Sequence, residues 1–328
     1  MQRKQFLKTG LSLLAAAGSL LPAAATAQAA WPAGKTLRMI VNFPAGGSPD
    51  VVARAVATPL SAALGVPVVV ENRAGAGGIL GADAVAKAAP DGFTFLLSSG
   101  SAMSIVPLIT PRLPFDPKKD LVPVAAAARL ELFLVARSEL PFTSYADFIK
   151  YAKANPGKLS YGSPGNGTSP HIAGEMLKSQ AGFFSVHIPY RGSAAVLQDL
   201  LGGQLDYSFD PGVAFPHIRT GKLRLLAVGS AQRSPLYPNT PTLAELGLKG
   251  FDVGTTHGFW APAGTPQAIV DRLNTEINKA LRLPAVAEAI KNLGAAPTPM
   301  TPAQFGTVIR NDLDRYAVIV KERKITAD

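Results

Sequence analysis

The 328-residue chain contains no cysteine. That excludes disulfides, zinc–thiolate sites, iron–sulfur clusters, thiol nucleophiles and a lipid-modified cysteine. Its four histidines, His171, His187, His217 and His257, show no HxxxH or HExxH spacing, so no metal site is expected. No GxxxxGK[ST] phosphate loop and no GxSxG nucleophile elbow occur. The one glycine run that approaches a dinucleotide fingerprint, "GAGGILG" at 75–81, carries Leu80 where the third glycine belongs. No cofactor is expected. Charge is sparse at 16% of residues against 47% hydrophobic, which is ample for a packed core and suits one large or two medium domains.

What charge there is leans positive, to +10. Part of it sits in an export signal. Arg3, Lys4 and Lys8 form a basic segment, Leu11–Leu21 a short apolar one, and small residues around Ala25–Ala29 offer a cleavage site. The apolar segment is short for a membrane span. "RKQFLK" resembles a twin-arginine signal with lysine in the second position, which leaves the export route open. A cleaved signal over 1–29 predicts a periplasmic protein and lowers the charge to +7. That charge is dispersed and not interleaved with aromatics, the pattern of solvated faces rather than a nucleic-acid surface. A mild positive field helps to collect anions.

Short β-branched runs alternate with helical patterns throughout, as in a doubly wound α/β fold with a mostly parallel sheet flanked by helices. Strands are expected at 37–43, 66–72 and 92–99, with helices from Asp50 to about Leu64 and over 79–89. The pattern restarts after about Val122. The expected organisation is two lobes, the first from 30–125 plus 230–328 and the second from 126–229. Pro59 is expected to interrupt the first helix.

Three turns share one chemistry. In "VNFPAGGSPDVVAR" (41–54) a strand enters a glycine pair, Ser48 is placed to cap a helix and Pro49 to open it, with Asp50 in the first turn. "YGSPGNGTSPH" (161–171) repeats this with a Thr168-Ser169 cap and Pro170, and "PYRGSAAVLQDLLGG" (189–203) with a Ser193 cap. Strand C-terminal ends in such sheets form one rim, where ligands collect. Helix starts there offer backbone N–H groups and positive dipole ends to an anion. No lysine occurs in any of the three turns, which favours a carboxylate over a phosphate. His171, in the first turn of its helix, and Asp210, ending "LDYSFD" at the same rim, are further ligand candidates. His187 reads as a packed strand residue.

Taken together, "FPAGGSPDVVAR", "VVVENRAGAGG", "KAAPDGFTFLL", "ANPGKLSYGSPGNGTSPHIAGE", "HIPYRGSAAVLQDLLGGQLDYSFD" and "FWAPAGTP" resemble the Bug family, the TctC-like extracytoplasmic receptors of tripartite tricarboxylate transporters. The likeness runs from about Trp31 to Lys324. It implies a two-lobed periplasmic-binding-protein fold that closes like a flytrap on a small organic carboxylate. It also implies no enzymatic activity, no nucleic-acid partner, a monomer, and delivery to the transporter's membrane subunits. Carried onto this chain, it places ligand contacts at Phe43, Pro44, Ala45, Gly46, Gly47, Ser48 and Asp50, and at Ser98, Ser99 and Gly100. The second lobe supplies Ser163, Asn166, Gly167, Thr168, His171, Tyr190, Arg191, Gly192 and Asp210. Relatives often carry threonine at the Pro49 position, proline at the Ala74 position and an aromatic pair before "GFWAP". Here that pair is Thr256-His257, which makes the pocket roomier or more polar and leaves the ligand open among dicarboxylates, tricarboxylates, amino acids, aromatic acids and neutral compounds.

Two other readings stand beside the receptor. One is an exported α/β hydrolase using Ser163 or Ser169, whose mark would be a serine–histidine pair within hydrogen-bond reach in the cleft. The other is a receptor that presents its ligand to a signalling kinase.

Overall fold

A computed structural model describes residues 31–323 and 325–326; the expected signal peptide lies outside the described residues. In chain order the strands are β1 (Leu37–Val41), β2 (Val68–Asn72), β3 (Thr94–Ser98), β4 (Leu121–Leu130), β5 (Phe133–Arg137), β6 (Ser160–Ser163), β7 (Val186–Pro189), β8 (Tyr207–Asp210), β9 (Leu223–Val228) and β10 (Thr255–Pro262). The helices are α1 (Ser48–Leu64), α2 (Ile79–Ala86), α3 (Gly100–Ser104), α4 (Val106–Ile109), α5 (Tyr145–Ala154), α6 (Ser169–Ala181), α7 (Ser193–Leu201), α8 (Phe215–Arg219), α9 (Gln267–Leu281), α10 (Pro284–Lys291) and α11 (Pro302–Arg323).

The strands form two five-stranded sheets, in the orders β2-β1-β3-β10-β4 and β7-β6-β8-β5-β9. Each has one strand against the grain: β10 is antiparallel to β3 and β4, and β5 to β8 and β9. Both sheets are therefore mostly parallel, and the ends of β1 and β3 in one and of β6, β7 and β8 in the other lead into the loops that build the site. The chain crosses to the second sheet within two residues, between Leu130 and Phe133, and its return contributes β10 to the first sheet. Residues 126–130 thus extend the first sheet, where the sequence placed them in the second lobe.

β4 is the strand that the sequence hides. "LVPVAAAARL" holds four alanines and a proline, residues poor in strand propensity. Tertiary pairing decides it: β10 runs antiparallel along it from Thr255↔Leu130 to Pro262↔Leu121. Small residues are needed at this seam, because the Phe305 ring of α11 packs on Gly258, where an added Cβ would lie 2.3 Å from it.

α1 shows how local pattern becomes packing. Val52, Ala53, Val56, Ala57 and Leu60 lie on one buried face at helical spacing, and the helix ends at Gly65 in the left-handed conformation. It continues through Pro59 rather than stopping there, at the loss of one backbone hydrogen bond. The second sheet is packed on both faces. Tyr161, Tyr207, Phe209 and Phe148 lie with α5 and α6 on one side, and Phe133, Phe215 and Leu205 with α7 and α8 on the other. α11 spans both halves: Phe305 joins the first sheet's core, while Tyr316 joins the second's.

Candidate functional site

Each of the three helix starts lies one residue earlier than the sequence placed it. The first intrahelical bonds run from Val51 N–H to Gly47 C=O, from Ile172 N–H to Thr168 C=O and from Val196 N–H to Gly192 C=O. The N-caps are therefore Gly47 and Gly192, not Ser48 and Ser193, and of the expected Thr168-Ser169 pair it is Thr168 that caps. Extended caps suit glycine and threonine, and each proline falls one place further in, where its missing N–H is still one of the unpaired first-turn donors. The consequence is chemical. Ser48, Ser169 and Ser193 each occupy the first helical position, and none of their hydroxyls is spent on capping.

These three serines line one cavity of about 390 Å³ at the strand ends. From the first sheet come Phe43, Pro44, Gly47, Ser48, Ser99, Ser101, Thr255 and His257; from the second, Pro164, Thr168, Ser169, Arg191, Gly192 and Ser193, with Pro211 after β8. Among the described residues, the hydroxyls of Ser169 and Ser193 make no hydrogen bond, and Ser48 Oγ meets His257 Nε2 at 3.0 Å. No Asp or Glu lines the cavity. Its single charged residue, Arg191, makes no ion pair among the described residues. A neighbouring cavity of about 680 Å³, bounded by Gly75–Leu80, Asn166 and Tyr190, shares Phe43, Pro164 and Arg191 with the first.

The two halves touch across this site. Pro44 and Gly192 are so close that a Cβ on Gly192 would lie 2.8 Å from the proline ring, and Gly77 approaches the carbonyl of Asn166 similarly. Glycine at 192 is required by this approach, since its extended backbone would suit any residue.

Other expected contacts have partners that turn them away from the cavity. The Asp50 carboxylate accepts from Gly46 N–H at 3.0 Å, Asn72 at 2.9 Å and Arg54 at 3.0 Å. Burial raises its pKa, but these donors outweigh burial and hold it below the ordinary value. It therefore shapes the Ala45–Gly46 turn, and Ala45 and Gly46 themselves lie outside the lining. Ser98 accepts from Asn42 at 2.9 Å and donates to Ser99 C=O, and Gly100 packs on the Thr256 backbone. Ser163 bonds His187 Nε2 at 2.7 Å, and His187 stacks on both Tyr161 and His171, so it is a half-buried, bonded strand residue rather than a merely packed one. His171 Nδ1 accepts from Gly167 N–H at 3.2 Å. Tyr190 donates to Asp199 at 2.6 Å and, like Asn166, borders the neighbouring cavity. Asp210 accepts from Gly212 N–H at 2.7 Å and Ala214 N–H at 2.9 Å, which caps the turn into α8. Burial outweighs those bonds and pushes its pKa up to about 6.

Thr256 is also displaced from the lining, and Thr255 takes its place. Alternation along β10 explains this: His257 and Thr255 share a face and Thr256 points the other way. That signal was present in the sequence, as were the serines beside each proline or glycine. Leu130 and Leu132, which also border the cavity, became legible only with the short crossing between the sheets.

Two serine–histidine pairs are present: Ser163–His187 at 2.7 Å, with neither member in the lining of the cavity, and Ser48–His257 at 3.0 Å, with both in it. His257 is buried, with its Nδ1 reached by no acceptor among the described residues, and burial pushes its pKa down to about 3. A general base in a nucleophilic pair needs a third group to orient it and an affinity for protons near neutral pH. His257 has neither. Among the described residues no cluster of three His, Asp or Glu is placed to hold a metal.

A family model for the tripartite tricarboxylate transporter family receptor matches residues 52–325. Protein BugT of Bordetella pertussis is 42% identical over 312 residues, covering 94% of each chain. Among solved structures, the periplasmic binding protein BugD superposes with a TM-score of 0.85 at 34% identity, covering 89% of this chain and 98% of its own. The R. palustris protein Rpa4515 with adipate gives 0.87 at 32%, over 90% and 99% of the two chains. MatC from Rhodopseudomonas palustris with bound malate gives 0.83 at 32%, over 87% and 98%.

Proposed function

Because the chain belongs to the tripartite tricarboxylate transporter receptor family, we propose that it is a periplasmic receptor that captures a small dicarboxylate and delivers it to the membrane subunits of such a transporter. One observation carries the choice of ligand charge. Three helix N-termini, at Ser48, Ser169 and Ser193, converge on a cavity that no acidic side chain lines. Each helix end favours an anion by about 0.3–1 kcal/mol, and by up to about 2 when partly buried. Each hydrogen bond to a carboxylate adds roughly 1.5–3 kcal/mol. Arg191 at the edge of the cavity suits a second carboxylate, and malate and adipate in two relatives bracket chains of four to six carbons.

The protein acts as a monomer and does no chemistry on its ligand. Its lobes divide at the crossing near 130–133 and on the return between 228 and 255, and they close on the solute. Titration calorimetry of the protein freed of its leader, against succinate, malate, glutarate, adipate and the corresponding diamides, tests this reading. Micromolar or tighter binding of one or more acids, with no binding of the diamides, is expected. Binding of diamides alone refutes the carboxylate reading. Turnover of a bound acid or ester refutes the non-enzymatic one.

A further inference from the structure

We propose that His257 is a positioning residue that biases the Ser48 hydroxyl toward donating into the cavity, so that the point facing Ser48 favours an acceptor oxygen over an N–H. This deepens the receptor reading and rests on it for the identity of the bound group.

His257 sits on β10 between β3 and β4, 3% exposed, with Nε2 3.0 Å from Ser48 Oγ. Nδ1 is buried and no acceptor reaches it. Either neutral form leaves Nδ1 unpaired, but a buried N–H without a partner is rarer than a buried acceptor without one, which disfavours the proton on Nδ1. A doubly protonated ring would add a buried charge, which the same burial opposes. The remaining form is neutral, with the proton on Nε2 and the lone pair on Nδ1. Nε2–H then donates to Ser48 Oγ. A serine hydroxyl carries one hydrogen, and with Nε2–H in front of its oxygen that hydrogen has to point elsewhere. Ser48 has no other partner among the described residues and borders the cavity, so its O–H is aimed at the solute.

The outcome differs from an ordinary serine site. A free serine hydroxyl donates or accepts by rotating, and so tolerates either an acid or an amide. With His257 behind it, Ser48 keeps one lone pair, but accepting an N–H there would leave its own hydrogen without a partner, so donation to the solute is favoured. The other two first-turn serines, Ser169 and Ser193, have no such neighbour and keep their freedom to rotate.

The test has two parts. Long-range proton–nitrogen spectra of the ligand-free protein, labelled at its histidine rings, report which nitrogen of His257 carries the proton, with the signal assigned by its loss in H257Q. A neutral ring protonated at Nε2 at pH 7 is expected; a proton on Nδ1, or a charged ring, overturns the proposal. The second part titrates the acids from succinate to adipate, and their mono-amides, into the parent and three variants. S48A is expected to bind the best acid about ten- to a hundredfold more weakly. H257Q, whose amide can still donate to Ser48, stays within about threefold of the parent, and H257L loses about tenfold. Equal losses in H257Q and H257L, or a parent that does not prefer an acid to its mono-amide, overturn the proposal. If no acid binds at all, the carboxylate reading falls, while the ring spectra still decide the state of His257.

Discussion

Replacing Gly192 by alanine separates closure from folding. An added Cβ would meet Pro44 Cδ and Cγ at 2.8 Å, whereas ordinary contact begins at 3.4 Å. The two loops must therefore part by about 0.6 Å where they now touch. The backbone of Gly192, at φ 164° and ψ 168°, is extended and costs alanine nothing. All of the strain thus arises between the two halves. Inserting one methyl into a tight contact costs about 1–3 kcal/mol. A penalty confined to the closed form lowers the apparent affinity by the same free energy, roughly 5- to 150-fold. The expected result is weaker solute binding in calorimetry, with the thermal midpoint of the ligand-free protein unchanged. The double variant P44A/G192A is a sharp control, because it removes the two ring atoms at 2.8 Å and leaves Cβ at an ordinary 3.5 Å. It should regain most of the lost affinity. Unaltered binding in G192A, or no rescue by P44A, would refute the claim that these loops must meet to hold the solute.

The serines at the other two helix starts should behave as binding groups: S169A and S193A each weaken the best acid by about tenfold or more without moving the unfolding midpoint, and an unchanged affinity in both would sink the shared role. Asp210 has a folded pKa of about 6 against an ordinary 3.8, so its favourable contribution is complete below 3.8 and disappears as pH rises through 6. Relative to D210N, the parent should lose about 3 kcal/mol of stability from pH 4 to 7 in urea titrations, and a flat difference would exclude this linkage. Asp50 has the opposite sign, since its pKa is lowered. The parent should exceed D50N by about 1–3 kcal/mol near neutral pH and lose that margin as pH falls below 4; a margin that grows in acid would contradict the assignment.

Much of the fold was legible because its signals are local. β1, α1 and α6 announce themselves by apolar period, glycine and proline, and both lobes repeat that grammar. β4 was not legible, because an alanine-rich segment becomes a strand only when β10 returns from more than a hundred residues away to pair with it. The site divides in the same way. The loops at 43–48 and 190–192 are marked by glycine beside a helix start, and Ser48, Arg191 and Gly192 all border the cavity. Asp50, Ser98, Ser163 and His171 carry the polar chemistry of ligand contacts but spend it on Asn72, Asn42, His187 and Gly167. Residue type cannot distinguish a group reserved for a solute from one already satisfied by a neighbour, whether that neighbour lies four positions away, as Gly167 does from His171, or 22 to 56 away, as in the other three pairs.

That each first-turn serine follows its cap, rather than serving as it, has the largest functional consequence. With serine as the cap, each hydroxyl oxygen would accept from its own helix and use one of that helix's free N–H groups. With glycine or threonine as the cap, the hydroxyl moves to the first turn and stands beside N–H groups that also lack partners. Ser48 lies in the half built on the first sheet, and Ser169 and Ser193 in the half built on the second. On the proposed reading, a solute that bridges them gains the full set of donors only when Pro44 meets Gly192. Its affinity for the closed form then exceeds that for the open form by several hydrogen bonds, and that difference is what drives closure. Either half alone would bind an anion weakly. On that reading the close approach of two loops, and not any single side chain, makes one receptor site of three ordinary helix starts.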